Sequence, residues 1–561
     1  MNNAKISKRK FKIFDNDSLK NIHQRVFFSI VVFVVFFSLI FFKIFNIMIF
    51  SIYFNGAISE KNIQVKKIEN RGKIFDRNGI LLASTVRLHS LFAHPKKIKE
   101  KNILSKNLEE ILSIPKDNIK LSLSKDSNFV WIKRNITPRE HQKIINLGEV
   151  GLQTKLEKKR IYPIREINSQ LVGFSNIDGR GLSGIEKGQQ EKLDSGEDIY
   201  LSIDVRLQGS MRNELIKTIN KFSALSGLAV SMNINTGEIL SIVNFPDFDP
   251  NKPDKILTKN QFNIATQGVF EMGSTFKPIT MAIGLDKNIL DFEMLFDVSK
   301  PIRFGKFTIN DYKPYNGKLN IKDIIVKSSN IGAAKVANKI GKKNQIEYFK
   351  KLGFFEHIDL ELDEIQKPLS PKHWKKLETM TIGYGHGFAV TPLHLCKAYA
   401  SIVNGGFTVY PTLLKNNNSI VSKRIIKSST ADQIKNLLRS VILETKYTGP
   451  NAKIEGYELG GKTGTAELLS NGNYSSDSNL ASFISIFPVS NPKYLVLAMI
   501  KDPKKIEETY YNNTGGWVAA PLVKNIILEM IKILGIPSSS NANKLKASIY
   551  KYDVMNSNAT L

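Results

Sequence analysis

Three short motifs in this chain carry side chains that could perform acyl transfer through a serine. They are Ser-Thr-Phe-Lys at residues 274–277, Ser-Ser-Asn at 328–330 and Lys-Thr-Gly-Thr at 462–465. Together they offer a nucleophilic hydroxyl, two candidate bases, an amide that orients a substrate, and a wall that attracts an anion. Each motif alone is weak, since Ser-x-x-Lys also occurs at 113–116 and 122–125. The ordered set is therefore the informative feature.

The first motif predicts a nucleophile and its base. Ser274 precedes an apolar helical stretch at residues 279–285, so we expect it at a helix start, near the positive end of the helix dipole. Lys277 follows three residues later, on the same helical face. A buried lysine beside other cations can lose its proton near neutral pH and act as a general base. Pro278 fits this placement because proline is tolerated in the first turn of a helix.

The second motif predicts a proton relay and a substrate-binding amide. Ser328 could pass a proton to a leaving amine, and Asn330 could hold a substrate amide. Both residues precede a helical stretch at 331–340. A plain helix N-cap is therefore the alternative interpretation, because Ser and Asn favour that position by themselves.

The third motif predicts an edge strand that binds an anion. Lys462 adds positive potential, and the hydroxyls of Thr463 and Thr465 can bond to a carboxylate. Gly464 lets a substrate backbone approach the strand. The backbone N–H groups of Ser274 and Thr465 are candidate donors for an oxyanion hole.

The same stretch also fits a phosphate-binding loop pattern, Gly-x-x-x-x-Gly-Lys-Thr, at residues 456–463. Such a loop needs a buried strand before it and a helix that begins at Lys462. Residues 457–459 make a poor buried strand, and Gly464 falls where the helix should begin. The nucleotide interpretation is therefore not favoured.

Two predicted hairpins must position these motifs. Residues 228–234 and 239–243 flank a turn at Asn-Thr-Gly, and residues 480–487 and 494–500 flank a second turn at Ser-Asn-Pro. Mostly helical patterns lie between the hairpins, and a terminal helix is expected at 518–534. Strands at both ends with helices between them predict an α+β domain whose single sheet is closed by distant segments.

Composition limits the chemistry further. The chain has 561 residues, 42% of them hydrophobic, and a formal charge of +29. The basic residues are spread along its length and are accompanied by no zinc finger or basic-aromatic stripe, so nucleic acid is not an expected partner. One cysteine and eight unpaired histidines predict neither an internal disulfide nor a structural metal.

An N-terminal apolar segment predicts a membrane anchor. Residues 26–42 carry no charge, and a helix over about 27–47 has the roughly 20 residues needed to span a bilayer. No good cleavage site follows, so an uncleaved anchor is favoured over a signal peptide. Residues 1–25 hold seven Lys and Arg against Asp15 and Asp17. The positive-inside rule then places this tail in the cytoplasm and everything after residue 55 outside.

With these features the chain resembles a class B penicillin-binding protein, a family that carries the three motifs in this order. Further blocks are similar to that family, and Met272 departs from it by replacing the proline that commonly precedes the Gly-Ser pair. The similar blocks are residues 71–79, 162–163, 171–174, 184–186, 381–387, 390–393 and 515–521.

The resemblance implies the fold and the domain order. The expected fold is α+β, with one transmembrane helix, an elongated pedestal domain and a transpeptidase domain like that of serine β-lactamases, whose antiparallel sheet is flanked by helices. The expected segments are a cytoplasmic tail (1–25), the anchor (26–54), the pedestal of the dimerisation type (55–225), the transpeptidase domain (226–535) and a polar tail (536–561).

The resemblance also implies the reaction and the partners. Ser274, deprotonated by Lys277, would attack a stem peptide ending in D-Ala-D-Ala, and an amine of a second stem would resolve the acyl-enzyme and form a cross-link. No cofactor is needed, and β-lactams should acylate Ser274. The expected location is the inner membrane, with the catalytic domain outside it, beside a membrane-embedded septal glycan polymerase and other division proteins.

The subtype rests on one motif and one block. Ser-Ser-Asn and the Gly-Tyr-Gly at 383–385 resemble the division-specific branch rather than the elongation branch. An elongation transpeptidase, a D,D-carboxypeptidase or β-lactamase-like hydrolase, and a non-catalytic division subunit or β-lactam sensor stay open as alternatives. The complete set of catalytic side chains disfavours the last of these.

Overall fold

The computed structural model describes residues 16–45, 71–415, 422–446, 448–470 and 473–538. Most of the expected cytoplasmic tail, the end of the anchor beyond residue 45 and the polar tail from residue 539 lie outside these ranges. The N-terminal part and the part from residue 70 onward form two separate compact units.

The described residues of the N-terminal unit form one long helix, Asn16–Phe45. Its segment Gln24–Phe45 has 22 residues and a mean hydropathy of 2.7, so it is long and apolar enough to cross a membrane. The predicted apolar helix is thus confirmed as far as residue 45, and among the described residues it is the one helix with the length and composition of a membrane anchor.

The first part of the second unit is built on a five-stranded sheet. The long strand Leu81–Ala93 is its centre and pairs antiparallel with Val130–Ile136 on one side and Leu152–Ile161 on the other. Two short strands, Ile74–Phe75 and Ile199–Tyr200, extend it and pair in parallel with each other. Three helices cover a small apolar core beside this sheet: Lys101–Leu112, Lys116–Leu123 and Pro138–Asn146.

A buried ion network holds distant segments of this part together. The carboxylate of Glu186 is fully buried and accepts hydrogen bonds from Arg71 Nε at 2.7 Å and from Arg160 Nε at 2.6 Å. Arg71 also reaches the Glu186 carbonyl oxygen and the half-exposed carboxylate of Asp194. The two blocks at 71–79 and 184–186 therefore meet through one carboxylate.

The second sheet contains two hairpins from opposite ends of the chain. Its strand order is Gly460–Ser470, Asn473–Phe487, Tyr494–Lys501, Ser226–Asn233 and Ile239–Phe245, and every neighbouring pair is antiparallel. Both predicted hairpins are confirmed. The prediction that distant segments close one sheet is also confirmed, because Tyr494–Lys501 pairs with Ser226–Asn233.

Both faces of this sheet are buried, which explains the nearly continuous apolar strands. In Ser226–Asn233, Leu228 and Val230 face one core while Ala229 faces the other. The helices Val205–Lys221 and Ala519–Leu534 cover the second core. The first core is covered by Lys277–Asp286, Asn330–Leu352, Pro392–Val403 and Ser428–Glu444.

The remaining elements are short and connect these layers. The short helices are Ser169–Val172, Gly184–Gly188, Gln190–Asp194, Thr258–Gln261, Ile264–Gln267, Ile321–Lys327, Lys376–Ile382 and Thr448–Ala452. The short strands are Phe270–Glu271, Phe296–Asp297, Ile302–Phe304, Phe307–Ile309, Lys318–Leu319 and Ala389–Val390. The whole is an α+β architecture, as the sequence predicts.

The ion network gives a testable prediction about stability. Glu186→Ala leaves the guanidinium groups of Arg71 and Arg160 buried without their shared carboxylate, and we expect it to cost about 3 kcal/mol or more of unfolding free energy. Thermal unfolding followed by tryptophan fluorescence should show a lower midpoint. Lys217→Ala, which removes the exposed amine that pairs with Glu214, is the control and should leave the midpoint unchanged. An unchanged midpoint for Glu186→Ala would contradict the prediction.

Candidate active site

Ser274 lies in a tight turn that leads directly into a helix. Residues Gly273–Phe276 form one turn of 3-10 helix, and the α-helix Lys277–Asp286 continues from it. Pro278 falls in the first turn of that α-helix, where its missing N–H costs no hydrogen bond. Ser274 is therefore at the start of the helical segment, as the position of Pro278 predicted.

Ser328 lies between two helices in an unusual backbone conformation. It ends the helix Ile321–Lys327 with φ 57° and ψ 39°, in the left-handed region that few non-glycine residues adopt. The N-cap of the next helix is Ser329, whose Oγ accepts a hydrogen bond from Gly332 N at 2.9 Å. The capping alternative for Ser328 and Asn330 is therefore wrong, and both side chains are available for the site.

The third motif lies on the strand Gly460–Ser470, which is at the edge of the sheet. No helix begins at Lys462, which removes the phosphate-loop interpretation. Gly464 also has a packing reason to lack a side chain. A Cβ there would lie 2.5 Å from Ser482 Oγ and 2.9 Å from the Met272 carbonyl oxygen, so the strand packs closely against the turn that carries Ser274.

The three motifs meet at the hydroxyl of Ser274. Lys277 Nζ lies 2.9 Å from Ser274 Oγ, and Ser328 Oγ lies 3.0 Å from it. Lys462 Nζ is 3.0 Å from Ser328 Oγ. Residues that are 54 and 134 positions apart in the sequence thus form one continuous hydrogen-bonded chain. This arrangement can move a proton away from Ser274 and deliver one to a leaving group.

The amine of Lys277 is completely buried and makes several polar contacts. Besides Ser274, it lies 2.6 Å from the carbonyl oxygen of Ser328 and 2.8 Å from Asn330 Oδ1. The pKa of Lys277 is held well below its usual value. Burial is the largest cause and repulsion from Lys462 the next, while the attraction of Asp311 opposes both. A neutral amine at this place can accept the proton of Ser274.

Lys462 is also buried, with 1% of its surface exposed. Burial lowers the pKa of Lys462 to about 7, so its charge changes near neutral pH. Its Nζ contacts the Thr463 carbonyl oxygen at 3.2 Å in addition to Ser328. Thr465 is exposed on the same strand, and its Oγ1 accepts a hydrogen bond from Gly515 N at 3.2 Å. Lys462, Thr463 and Thr465 therefore follow one edge of the site.

The predicted oxyanion donors, the N–H groups of Ser274 and Thr465, belong to adjacent backbone segments. A Cβ on Gly273 would lie 3.2 Å from the carbonyl oxygen of Thr465. The turn and the edge strand are thus in direct contact beside the nucleophile. The role of these two N–H groups stays a prediction.

Sequence reasoning missed two residues that position the motifs. Asp311 accepts hydrogen bonds from Ile331 N at 2.9 Å and Ser329 Oγ at 2.7 Å, so it fixes the second motif. The buried Tyr399 donates its hydroxyl to the Thr275 carbonyl oxygen at 2.7 Å and supports the turn of the first motif. Asp311 and Tyr399 lie far from these motifs in the sequence, and no local pattern marks either of them.

Comparison with protein families identifies the class. The sequence model of the penicillin binding protein transpeptidase domain matches residues 227–528, and that of the penicillin-binding protein dimerisation domain matches residues 67–221. The chain belongs to the penicillin-binding protein family, and it has a transpeptidase domain that carries all three motifs.

Individual relatives cover most of the chain. One is the probable peptidoglycan D,D-transpeptidase FtsI of Caulobacter vibrioides, 31% identical over 481 residues, which cover 83% of this chain and 82% of the relative. Another is the peptidoglycan D,D-transpeptidase FtsI of Buchnera aphidicola subsp. Schizaphis graminum, 33% identical over 513 residues, which cover 85% and 89%. The structure of a peptidoglycan synthetase from Bifidobacterium adolescentis has a similar fold, with a TM-score of 0.66, 21% identity and coverage of 84% and 96%.

The environment of Lys277 gives a prediction about acylation. Lys277→Arg places a permanent positive charge where the wild-type amine is neutral, because a guanidinium group does not lose its proton. It cannot accept the proton of Ser274, so we expect the second-order rate constant for labelling by a fluorescent penicillin to fall by about 100-fold or more. The measurement is the time course of labelling at several penicillin concentrations. Lys217→Arg, at an exposed position of the helix Val205–Lys221, is the matched control. Near-normal labelling by Lys277→Arg would show that this residue acts only through its charge.

Proposed function

We propose that this protein is a peptidoglycan D,D-transpeptidase that cross-links stem peptides at the division septum through an acyl-enzyme on Ser274. The names of the relatives and the transpeptidase domain support the reaction and the septal role. The observation that carries the proposal is the contact of Ser274 Oγ with both Lys277 Nζ and Ser328 Oγ. A nucleophile with a neutral base on one side and a proton relay on the other is what acyl transfer requires.

The first half-reaction forms the acyl-enzyme. Lys277 accepts the proton of Ser274, and Ser274 Oγ attacks the carbonyl carbon of the penultimate D-Ala. The N–H groups of Ser274 and Thr465 hold the oxyanion of the tetrahedral intermediate. The peptide C–N bond then breaks, and the nitrogen of the terminal D-Ala takes the proton held by Lys277, passed on through Ser328, and leaves as a free amine.

The second half-reaction forms the cross-link. The amine of a neighbouring stem peptide attacks the ester carbonyl carbon, and the C–O bond to Ser274 breaks. The attacking amine gives up its proton through Ser328 and Lys277, and Ser274 regains one. The serine and lysine therefore return to their starting protonation states, and no cofactor takes part.

The remaining motif residues hold the substrate. Lys462, Thr463 and Thr465 line the edge where the terminal carboxylate of the stem would bind, and Gly464 keeps the strand close to the nucleophile. Asn330 bonds to Lys277 through Oδ1 and to the Asn310 carbonyl oxygen through Nδ2, at 3.1 Å. Because an amide nitrogen carries two hydrogens, the second can donate to a carbonyl oxygen of the stem peptide.

The same proposal includes location and domain order. The tail at 1–25 is cytoplasmic, residues 26–54 anchor the chain in the inner membrane, and the pedestal (55–225), the transpeptidase domain (226–535) and the polar tail (536–561) lie outside. The excess of Lys and Arg before the apolar helix supports this orientation. Residues 1–54 orient the protein and contact a membrane-embedded septal glycan polymerase, and other division proteins are further partners.

Acylation of Ser274 is the direct test. Intact-mass analysis after treatment with fluorescent penicillin should show one adduct on the wild-type chain and none on Ser274→Ala, because the nucleophilic oxygen is missing. Ser113→Ala and Ser122→Ala are matched controls, since each removes the serine of another Ser-x-x-Lys sequence, and both should label normally. An adduct that peptide mapping places elsewhere, or labelling of Ser274→Ala, would refute the proposed site.

The anchor gives a separate prediction about partners. Residues 27–47 are richer in phenylalanine than spanning alone requires, so we expect them to contact the glycan polymerase. Replacing them with an unrelated spanning helix of equal length and orientation should leave penicillin labelling normal but should fail to restore septation in cells that depend on this protein. Full restoration of septation would mean that the helix serves only as an anchor.

A further inference from the structure

The backbone before Ser274 is fastened to a glycine-rich loop at residues 383–387. Gly273 N donates a hydrogen bond to the Gly385 carbonyl oxygen at 3.1 Å. Gly385 has φ 84°, and a Cβ on it would lie only 2.1 Å from the Gly273 carbonyl oxygen. Because the two backbones touch with no side chain between them, the position of Ser274 depends on where this loop is held.

One carboxylate holds the far end of the loop. Glu271, three residues before Ser274, accepts a hydrogen bond from Gly387 N through Oε1 at 2.8 Å, and its Oε2 lies 2.9 Å from His386 Nδ1. The short strands Phe270–Glu271 and Ala389–Val390 pair beside it. The loop at 383–387 is therefore bonded to the segment before Ser274 at two places, through Gly385 to Gly273 and through His386 and Gly387 to Glu271.

His386 is placed where its charge can change. Its side chain is 41% exposed, so protons from solvent reach it. The charged or titratable groups that face it, among the described residues, are Glu271, Glu467 from the edge strand Gly460–Ser470, and Tyr384, whose ring stacks on the imidazole with the ring centres 6.3 Å apart. The hydrogen bond to Glu271 raises the pKa of His386 above its usual value, burial opposes this, and the negative charges of Glu271 and Glu467 add to the increase. The imidazolium is therefore retained to a higher pH than in a free histidine.

We propose that Glu271 and His386 form a pH-responsive positioning pair that fixes the Gly273–Ser274 backbone for acylation. The pair rests on the proposed function and acts through the loop at 383–387, not by touching the substrate. A protonated imidazole makes a charge-assisted hydrogen bond to the carboxylate, and a neutral one makes a weaker bond. The support is therefore complete below the pKa of His386 and weakens as the pH rises through it.

The test compares acylation rates across pH for the full-length protein in detergent. His386→Gln keeps a side-chain N–H donor that does not titrate. Acylation also needs neutral Lys277, which has the opposite pH dependence, so the informative quantity is the ratio of the wild-type to the variant rate constant for fluorescent penicillin. We expect a ratio of about five at low pH that falls to about one above the pKa of His386.

Three further measurements make the result decisive. Glu271→Gln should give the same pH-dependent ratio and should lower the pKa of His386 followed by NMR. His373→Gln, a change at an exposed histidine, should give a ratio of about one at every pH. A constant ratio for His386→Gln, at one or above it, would overturn the proposal, because a merely structural role is insensitive to pH in this range. Failure of the proposed function itself would appear differently, as a wild-type chain with no adduct on Ser274.

Discussion

The burial of the Lys277 amine is the constraint on which the rest of the site depends. An ammonium group without water is strongly unfavourable unless polar groups surround it or it loses its proton. Here Ser274, Ser328 and Asn330 supply oxygen atoms within 2.6 to 3.2 Å of Nζ. These partners come from two separate segments of the chain. Lys462, on a third segment, repels a positive charge on Lys277 and so makes the protonated form of that amine less favourable. The same folding event that buries the Lys277 amine therefore also determines whether that amine carries a proton.

The segment that carries Lys462 reaches the site because it is the edge strand of the sheet. The strand Gly460–Ser470 pairs on one side with Asn473–Phe487, and its other side faces the turn that carries Ser274. An edge strand offers backbone groups that an extended peptide can pair with. Gly464 and Gly515 keep the strand, the turn and the loop after residue 514 in close contact, since a Cβ at either would meet neighbouring backbone oxygens.

The part of the chain that carries no catalytic motif is joined to the catalytic sheet by specific contacts. The helix Val205–Lys221, which the sequence assigned to the end of the pedestal segment, packs on that sheet. Arg77 Nη1 donates to the Ser202 carbonyl oxygen at 3.2 Å, and its other terminal nitrogen pairs with Glu238. Ser202 in turn donates its hydroxyl to the Ile239 carbonyl oxygen at 2.7 Å. All three catalytic motifs lie after the expected boundary near residue 225. Residues before that boundary nevertheless pack directly on the sheet that carries them.

The sequence by itself determined the anchor, both hairpins, the α+β class and the residues that converge at Ser274. Those signals are local: a long apolar run, alternating strands around turn residues, and short motifs of fixed spacing. Only the tertiary structure decided that Ser329 caps the helix in place of Ser328, that Asp311 fixes the second motif, and that Glu271 and His386 hold the loop beside the nucleophile. The roles of Asp311, Glu271 and His386 depend on contacts between segments that are distant in the sequence, which no local pattern records. The cap is a local bond from Gly332 N to Ser329, but which of three adjacent polar residues forms it depends on the left-handed backbone of Ser328. The physical reason is that hydrogen bonds and burial act between neighbours in space, whereas propensity and periodicity act between neighbours in sequence.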